Sequence, residues 1–427
     1  MTTQHSSESV FTRRESQARS YCRTFDKVFA SAQGSEMVDS EGHRYIDFLA
    51  GCSSLNYGHN DPDMKAALVE HLCNDGIAHG LDLHTGAKAD FIRAFETHIL
   101  RPRQLDHRLM FTGPTGANAV EAALKIARKV TGRTNVVAFT NAFHGVTVGA
   151  LAATGNAYHR GGGGLPLGNV TRMPFDGYAE GVDSVGLLRQ MLGDASSGLD
   201  APAAFLLETV QGEGGLNVST ESWLADIVAL AKEVGALLIV DDIQAGCGRT
   251  GGFFSFERAG ITPDIVTLAK SISGFGLPMG LVLVRPEHDV LGPAEHNGTF
   301  RGNTHAFITA RIAIEKFWSD DRFEVGVRRR ARIVEQGLET VAAMVPGARL
   351  KGLGMMKGVD VGSGQLAAAI CRHAFQEGLI IETSGPNDEV VKVLAPLTTP
   401  DHMLGTGLSI LIDATQNVIT ANLLAAE

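Results

Sequence analysis

Short apolar runs rich in β-forming residues alternate along this chain with segments of helical spacing, and this alternation is the strongest constraint on its fold. The predicted strands are 135–139, 204–207, 236–240 and 265–268. The predicted helices between them include 119–130 and 223–234. Such alternation predicts an α/β domain with a mostly parallel sheet. Ligands of these sheets bind at the carboxyl ends of strands, so the residues that directly follow each strand are the candidates for function.

The pattern changes at about residue 306, where longer helical segments give way to short strands. The predicted elements of this region are helices at 306–318 and 324–344 and strands at 355–361, 379–382 and 390–395. They indicate a smaller α+β domain. A hairpin-like stretch at 36–48 lies near the other end of the chain. We therefore predict a large domain at 61–305 and a small domain at 306–427, with the segment 1–60 packing on the small domain.

Composition limits the kinds of partner. The 427 residues are 44% hydrophobic and carry a formal net charge of −10, which argues against a nucleic-acid or anionic membrane surface. The chain opens with a polar segment unlike a secretory signal, and no apolar run is long enough to span a membrane. Five widely spaced cysteines without a CxxC pair indicate reduced thiols, neither a disulfide framework nor a zinc site, and no metal is predicted. We expect a cytoplasmic protein that acts on small molecules.

A glycine pattern after the predicted strand 236–240 invites a dinucleotide-binding interpretation. Gly246, Gly248 and Gly251 satisfy GxGxxG. The context argues against it, because the segment 241–244 separates the pattern from the strand and Phe-Phe-Ser-Phe follows it, a poor start for a phosphate-binding helix. We therefore look to other residues for the ligand.

Charged residues stand directly after two predicted strands. Asp241 and Asp242 follow the strand 236–240, and Lys270 follows the strand 265–268. A buried carboxylate at a strand end needs a partner, such as a protonated ring nitrogen, although two such acids can also cap a turn. A lysine there is usually a surface residue whose ammonium reaches water. Paired with Asp241, Lys270 becomes a candidate for covalent attachment of an aldehyde cofactor, provided that its surroundings favour the neutral amine.

A Gly/Thr turn that runs into a helix offers a place for an anion. The backbone N–H groups of Thr115, Gly116 and Ala117 would point at a phosphate at the positive end of the helix dipole. An ordinary capped helix start has the same appearance. Phe143, in Phe-His-Gly after the strand 135–139, could lay its ring on a planar cofactor, as could many buried aromatic residues.

These elements, in this order, resemble the fold-type I pyridoxal-phosphate enzymes, and among them the class III (ω-amino acid) aminotransferases. The motif LIVDDIQAGCGRTG, at 238–251, continues through PDIVTLAK, which ends at Lys270, and is similar to the long signature of that family. The segments 208–215 and 296–303 also match, and the resemblance covers nearly the whole chain. The GxGxxG pattern is part of this signature.

The resemblance implies pyridoxal 5′-phosphate as cofactor and a role for each matching residue. Lys270 would carry the Schiff base, Asp241 would pair with the pyridine nitrogen, and Gln244 would approach the ring hydroxyl. Phe143 would stack on the ring, and the phosphate would be held by Gly116 and Ala117 in the Thr115 turn. Thr299 would reach the phosphate from a neighbouring subunit, which implies a homodimer.

Further stretches narrow the resemblance to a subgroup whose donor is L-glutamate and whose acceptor is the aldehyde of L-aspartate 4-semialdehyde, giving L-2,4-diaminobutyrate, the first step of ectoine synthesis. The matching segments are 55–60, 75–82, 113–116, 300–303 and 378–385. Glu213 matches the family's glutamate that masks a substrate-binding arginine, and Lys392 stands at the place of that arginine. The chain also departs from the family pattern at Cys52–Ser54, Val146 and Leu353.

Several other functions are compatible with the same motifs. Another class III aminotransferase, acting on a different terminal amine in siderophore or antibiotic synthesis, would also fit the signature, and Cys52–Ser54 is the feature that favours it. An aminomutase or decarboxylase with the same cofactor would share Lys270 and Asp241. A carbohydrate- or nucleotide-binding protein without enzymatic activity is the alternative that these motifs support least. Lys392 could equally be a solvated charge at a strand end.

Overall fold

The computed structural model describes residues 9–426, and its strands form three sheets. In chain order the strands are Phe29–Gln33 (β1), Glu36–Asp39 (β2), Arg44–Asp47 (β3), Arg108–Phe111 (β4), Val136–Phe139 (β5), Val170–Met173 (β6), Ala204–Leu207 (β7), Leu237–Asp241 (β8), Ile265–Leu268 (β9), Leu281–Val284 (β10), Arg349–Leu353 (β11), Met356–Asp360 (β12), Leu379–Ile380 (β13), Glu382–Ser384 (β14) and Val390–Val393 (β15).

The α-helices cover both faces of the large sheet and one side of the smaller ones. They are Val10–Arg14 (α1), Tyr21–Thr24 (α2), Pro62–Cys73 (α3), Gly86–Phe95 (α4), Gly116–Thr131 (α5), Val148–Ala153 (α6), Ala157–Gly161 (α7), Ser184–Gly193 (α8), Glu221–Val234 (α9), Thr304–Phe317 (α10), Arg322–Met344 (α11), Gly364–Gln376 (α12) and Asp401–Ala426 (α13). A distorted helical turn lies at Ala50–Ser53, and short helical turns of other types lie at Glu96–Leu100, Arg101–Arg103, Glu257–Ala259, Lys270–Ser273 and Pro286–His288. Within the described residues, every helix is too short or too polar to cross a membrane.

The large sheet has seven strands in the order β4-β10-β9-β8-β7-β5-β6. β10 is antiparallel to both of its neighbours, and the remaining strands run in one direction. Every residue of β5, β7, β8, β9 and β10 is buried, as expected of a sheet covered on both faces. The predicted mostly parallel sheet is confirmed, and β8 ends on Asp241 itself.

The C-terminal region forms a four-stranded antiparallel sheet in the order β11-β12-β15-β14. The strand predicted at 379–382 is two strands, because the chain changes sheets at Ile381. β13 pairs in parallel with β3 of the N-terminal segment, whereas β14 pairs with β15. Phe48, directly after β3, is fully buried in the core of the C-terminal region. The N-terminal strands thus pack on this region, and residues 1–8 of the predicted segment 1–60 lie outside the described part.

A buried arginine joins three parts of the chain behind the carboxyl end of β8. The Arg249 side chain is fully buried. It donates to Ser53 Oγ at 3.0 Å and Asn56 Oδ1 at 2.5 Å, and to the carbonyl oxygens of Met355 at 3.2 Å and Ala395 at 2.6 Å. Burial lowers the pKa of its guanidinium to about 9, against the opposing charge of Asp47. Arg249 therefore connects the N-terminal segment, the large sheet and the C-terminal sheet.

The glycines beside Arg249 are required by packing. A Cβ on Gly246 would lie 2.6 Å from the carbonyl oxygen of Asp242, and one on Gly248 would lie 2.9 Å from both Trp318 and Leu397. Gly248 also has a φ of +92°, which side chains disfavour. Turns follow where a dinucleotide site needs a helix, so the dinucleotide interpretation is excluded by the local structure as well.

We expect Arg249→Met to destabilise the protein by about 3 kcal/mol or more, because it leaves several buried acceptors without a donor. Thermal unfolding of the purified variant measures this. The matched control is Arg322→Met, whose parent side chain is 86% exposed and whose loss should change stability by less than about 0.5 kcal/mol. Equal melting temperatures for the two variants would show that Arg249 does not hold these segments together.

Candidate active site

A cavity of about 440 Å³ opens at the carboxyl ends of β8 and β9, beside the N-terminus of α5. Eight of the residues proposed from the sequence line it. They are Thr115, Gly116, Ala117, Phe143, Glu213, Asp241, Gln244 and Lys270. Residues from distant parts of the sequence therefore meet where the topology of the sheet predicts a ligand site.

Asp241 is held by three donors at the end of β8. Its Oδ2 lies 2.7 Å from His144 Nδ1, and its Oδ1 accepts from Thr267 Oγ1 at 3.1 Å and from the N–H of Ile243 at 3.2 Å. Burial lowers the pKa of His144, but the hydrogen bond to Asp241 and its charge outweigh burial, so the pKa is raised. The carboxylate thus faces the cavity in a fixed orientation, as a partner for a ring N–H would need.

Asp242 points away from the cavity. Its carboxylate accepts from the N–H of Ser255 at 3.1 Å and 3.3 Å, and burial raises its pKa to about 7. Of the two acids at this strand end, only Asp241 can therefore serve a ligand in the cavity.

Lys270 follows β9 after one residue and begins the helical turn Lys270–Ser273. Its backbone φ is +50°, which is uncommon for a residue with a side chain. Such strain persists where the surrounding structure enforces it and is often found at functional sites. The half-buried side chain lines the same cavity as Asp241.

The N-terminus of α5 provides donors for an anion. Thr115 caps the helix, since its Oγ1 accepts from the N–H of Asn118 at 3.3 Å. The N–H groups of Gly116 and Ala117 lie in the first turn, where an α-helix offers no acceptor of its own. A Cβ on Gly116 would lie 3.0 Å from Ile243 Cδ1, so a larger residue would crowd this turn. The predicted phosphate position is therefore compatible with the geometry.

Gln244 lies between the cofactor side and the substrate side of the cavity. Its Nε2 donates to Glu213 Oε1 at 2.9 Å. Its Oε1 is buried and has no hydrogen-bond partner among the described residues. A buried acceptor of this kind is costly unless a ligand satisfies it, and the ring hydroxyl of pyridoxal phosphate would do so. Together with Asp241 and the α5 N-terminus, this oxygen shows that the cavity fits that cofactor.

A buried lysine with two carboxylates forms the substrate side. Lys392 in β15 is fully buried, so the alternative of a solvated strand-end charge is excluded. Its Nζ lies 3.1 Å from Glu213 Oε1 and 2.9 Å from Glu382 Oε1. Burial opposes the charged form, but the two acids outweigh it and raise the pKa of Lys392. Burial also opposes ionisation of Glu213, yet Lys392 and Lys270 lower its pKa to about 2.

The sequence patterns predict no role for three residues of this site: His144, Glu208 and Glu382. His144 belongs to the Phe-His-Gly motif, and Glu208 and Glu382 belong to segments that match the family. Glu208 follows β7 and accepts from the N–H groups of Phe143 at 3.0 Å and Gly212 at 3.1 Å. Burial, with the repulsion of Asp241, raises the pKa of Glu208 to about 7 despite the opposing charge of His144.

Thr299 stands apart from the other proposed residues. It is exposed in a turn and is absent from the described lining of the cavity. The positions that depart from the family pattern lie in different surroundings. Cys52 Sγ lies 3.8 Å from Glu382 Oε2 and Ser54 lines the cavity, whereas Leu353 packs in an apolar cluster and Val146 is exposed.

Comparisons with known proteins agree on one family. The family model for class-III aminotransferases matches residues 17–415. The diaminobutyrate–2-oxoglutarate transaminase of Vibrio parahaemolyticus is 55% identical over 96% of this chain and 97% of its own length. That of Vibrio cholerae is 56% identical over 94% of this chain and 98% of its own length. Ornithine aminotransferase from Toxoplasma gondii, a solved structure, superposes with a TM-score of 0.82 at 26% identity and covers 96% of this chain and 94% of its own.

We expect Glu208→Gln to change how the stability of the cofactor-free protein depends on pH. Because the folded-state pKa is raised to about 7, the contribution of this carboxyl to stability is present at low pH and is lost as pH rises towards 7. The variant should therefore gain up to about 3 kcal/mol relative to wild type between pH 5 and pH 8. Thermal unfolding at both pH values measures this.

Glu70→Gln, at an exposed position of α3, is the control, and its difference from wild type should be the same at both pH values. A Glu208→Gln difference that is equally independent of pH would contradict the assigned titration.

Proposed function

This chain belongs to the class-III aminotransferases, and from that premise we propose that it moves an amino group from L-glutamate to the aldehyde carbon of L-aspartate 4-semialdehyde. The products are L-2,4-diaminobutyrate and 2-oxoglutarate, and the reaction is reversible. The observation that carries the proposal is the identity above 50% over nearly the whole chain with transaminases of that name. The enzyme depends on pyridoxal 5′-phosphate, as its family does.

The residues that hold the cofactor are assigned from their positions in the cavity. Lys270 Nζ would attach it covalently, the Asp241 carboxylate would accept from its ring N–H, and Gln244 Oε1 would accept from its hydroxyl. The first-turn N–H groups of α5 would bind its phosphate. When bound, the cofactor withdraws electrons from the substrate and so stabilises negative charge at the reacting carbon.

Lys270 moves the proton of the reaction. With the cofactor and substrate bound, Lys270 Nζ would accept the proton released from the reacting carbon of the substrate and would return it within the same site. His144 fixes the orientation of Asp241 through their contact of 2.7 Å, and a buried pair of this kind needs no rearrangement during the reaction. Phe143 forms a wall of the cavity and keeps water from the ring.

Lys392 and Glu213 handle the carboxylates of the substrates. Lys392 binds the α-carboxylate of glutamate when Glu213 turns aside, and Glu213 neutralises Lys392 when the other substrate is present. The contact of 3.1 Å between these side chains is the closed arrangement. A lysine holds a carboxylate through a single point charge, which replaces the two-pronged contact of an arginine.

Assembly, location and pathway are part of the same proposal. A homodimer would cover apolar side chains that this chain exposes around Thr299, including Phe300, which is 67% exposed, and Leu83, which is 62% exposed.

The unpaired thiols are typical of a reducing compartment, so the enzyme is placed in the cytoplasm. We assign the reaction to the first step of ectoine synthesis. A different terminal amine, in siderophore or antibiotic synthesis, is the alternative that a substrate screen decides.

The half-reactions test the reaction itself. Glutamate should convert the yellow enzyme to its pyridoxamine phosphate form, and aspartate 4-semialdehyde should then restore the original spectrum with release of 2,4-diaminobutyrate. Lys270→Ala should abolish turnover because it removes the group that moves the proton, whereas Lys232→Ala, on the exposed face of α9, should behave as wild type. Absorbance and product chromatography measure both effects. A lack of response to glutamate and to 2,4-diaminobutyrate would contradict the assigned substrates.

Coexpression of two inactive variants tests the position of Thr299. Thr299→Asp would repel the phosphate, and Lys270→Ala removes the reactive amine. If Thr299 serves the neighbouring subunit, a mixed dimer contains one site with both native residues, and activity returns. If Thr299 serves its own subunit, every site in the mixed dimer is defective and no activity returns. Activity of the copurified mixed dimer, with each variant alone as control, measures the difference.

A further inference from the structure

Glu382 adds a second carboxylate to Lys392, beyond the one that the proposed mechanism uses. Glu382 in β14 is the cross-strand neighbour of Lys392 in β15. Its side chain is only 11% exposed. Its Oε1 forms an ion pair with Lys392 Nζ at 2.9 Å and has no other partner within residues 9–426. Lys392 also donates a hydrogen bond to Glu213, at 3.1 Å.

The charges of this cluster do not balance. Two carboxylates contact one ammonium group, and the second nearby cation, Lys270, would be taken up by attachment to the cofactor. Glu382 and Lys392 are buried, so an uncompensated charge there is costly. Burial raises the pKa of Glu382, Lys392 opposes this, and the repulsion of Glu213 adds to it. Tyr21, Cys52 and Cys371 are the other titratable groups near Glu382. Tyr21 Oη and Cys52 Sγ lie 2.6 Å apart and bring no positive charge.

The two proposed substrates differ in the charge that they bring to this cluster. Glutamate reacts at its α-carbon, so its one amino group is used at the reaction centre and its far end is a carboxylate. 2,4-Diaminobutyrate reacts at its terminal amine, so it keeps an α-ammonium group away from the reacting carbon. Aspartate 4-semialdehyde keeps the same group. The distal end of the substrate therefore carries an ammonium group beside a carboxylate in one half-reaction and a carboxylate alone in the other.

We propose that Glu382 is the specificity-determining residue that binds the α-ammonium group of the amino acid whose far end reacts. Glu382 Oε1, whose one partner within the described residues is Lys392, accepts from the ammonium group, and the substrate supplies the positive charge that the cluster lacks. With glutamate bound, Glu382 takes up a proton and no longer repels the second carboxylate. The raised pKa makes this change of protonation accessible. This inference rests on the proposed function, because it assigns a residue to one of its substrates.

A purely structural role for Glu382, as a neutralising partner of Lys392, makes a different prediction. It would affect all substrates to the same extent, because every substrate needs Lys392 in place. Recognition of the α-ammonium group affects only substrates that have one. 4-Aminobutanoate has the chain length, terminal amine and carboxylate of 2,4-diaminobutyrate but lacks the α-ammonium group, so the two compounds form a matched pair.

The test compares kcat/KM for this pair, with 2-oxoglutarate as acceptor, in wild type and Glu382→Gln. The preference of wild type for 2,4-diaminobutyrate should fall by about 10- to 100-fold in the variant, since a buried hydrogen bond to a charged group is lost. The rate with 4-aminobutanoate should change much less, and Glu382→Asp should retain part of the preference. Glu377→Gln, at an exposed position before β13, is the control. An unchanged preference in Glu382→Gln would overturn the inference.

Binding to wild type keeps the inference testable if the variant does not fold. On the pyridoxamine phosphate form, which does not react with amines, 2-aminobutanoate should compete with 2-oxoglutarate for the site better than butanoate does. Equal competition by the two compounds would overturn the inference. Wild type that does not turn over 2,4-diaminobutyrate would overturn the proposed function. In that case the competition by 2-aminobutanoate still decides whether an ammonium site exists.

Discussion

The structure depends on one buried guanidinium. Arg249 is fully buried, and its donors bind the N-terminal segment at Ser53 and Asn56 and the C-terminal region at Met355 and Ala395. The carbonyl groups that it satisfies have no strand partner at this point, so removal of the side chain would leave them without hydrogen bonds. Because Arg249 lies in the turn that follows β8, the same contact fixes the end of the strand that carries Asp241. Ser53 also donates to the carbonyl oxygen of Gln244 at 3.2 Å, so the junction of the sheets is linked to a residue that lines the cavity.

Buried charge recurs across the site, and nearly every charge has a partner. Asp241 has His144, Thr267 and a backbone N–H, and Lys392 has two acids. Pairing of this kind offsets the cost of desolvation and leaves the groups oriented before the ligand arrives. Within the described residues, Gln244 Oε1, on a residue that lines the cavity, has no partner, and Glu382 Oε1 has Lys392 alone. Unsatisfied acceptors thus mark the places where bound molecules would complete the hydrogen bonding.

The sequence predicted those parts of the site that depend on local pattern. Asp241 and Lys270 follow apolar strands, and the α5 N-terminus follows a Gly/Thr turn, so each position could be recognised from a few neighbouring residues. His144 and Glu208 could not, because they meet partners that are distant in sequence: His144 and Asp241 are 97 positions apart, and Phe143 and Glu208 are 65 positions apart. Glu382 could not, because it meets Lys392 only through the pairing of β14 with β15. The break between β13 and β14 was missed for the same reason. The run 379–384 looks uniform, and only the competing edges of two sheets divide it.

The departure from the family pattern at Cys52 lies in a turn with an unusual backbone conformation. Ala50, Cys52 and Ser53 have φ of +47°, +54° and +70°, a left-handed turn that costs energy at residues with side chains. Asp47 Oδ1 holds its start by accepting the N–H of Ala50, and Arg249 holds its end at Ser53. The turn places Cys52 Sγ beside Tyr21 and Glu382, and Ser53 Oγ donates to the carbonyl oxygen of Gln244. The strained turn therefore links the backbone of Gln244, at the cavity, to the carboxylate of Glu382, beside Lys392.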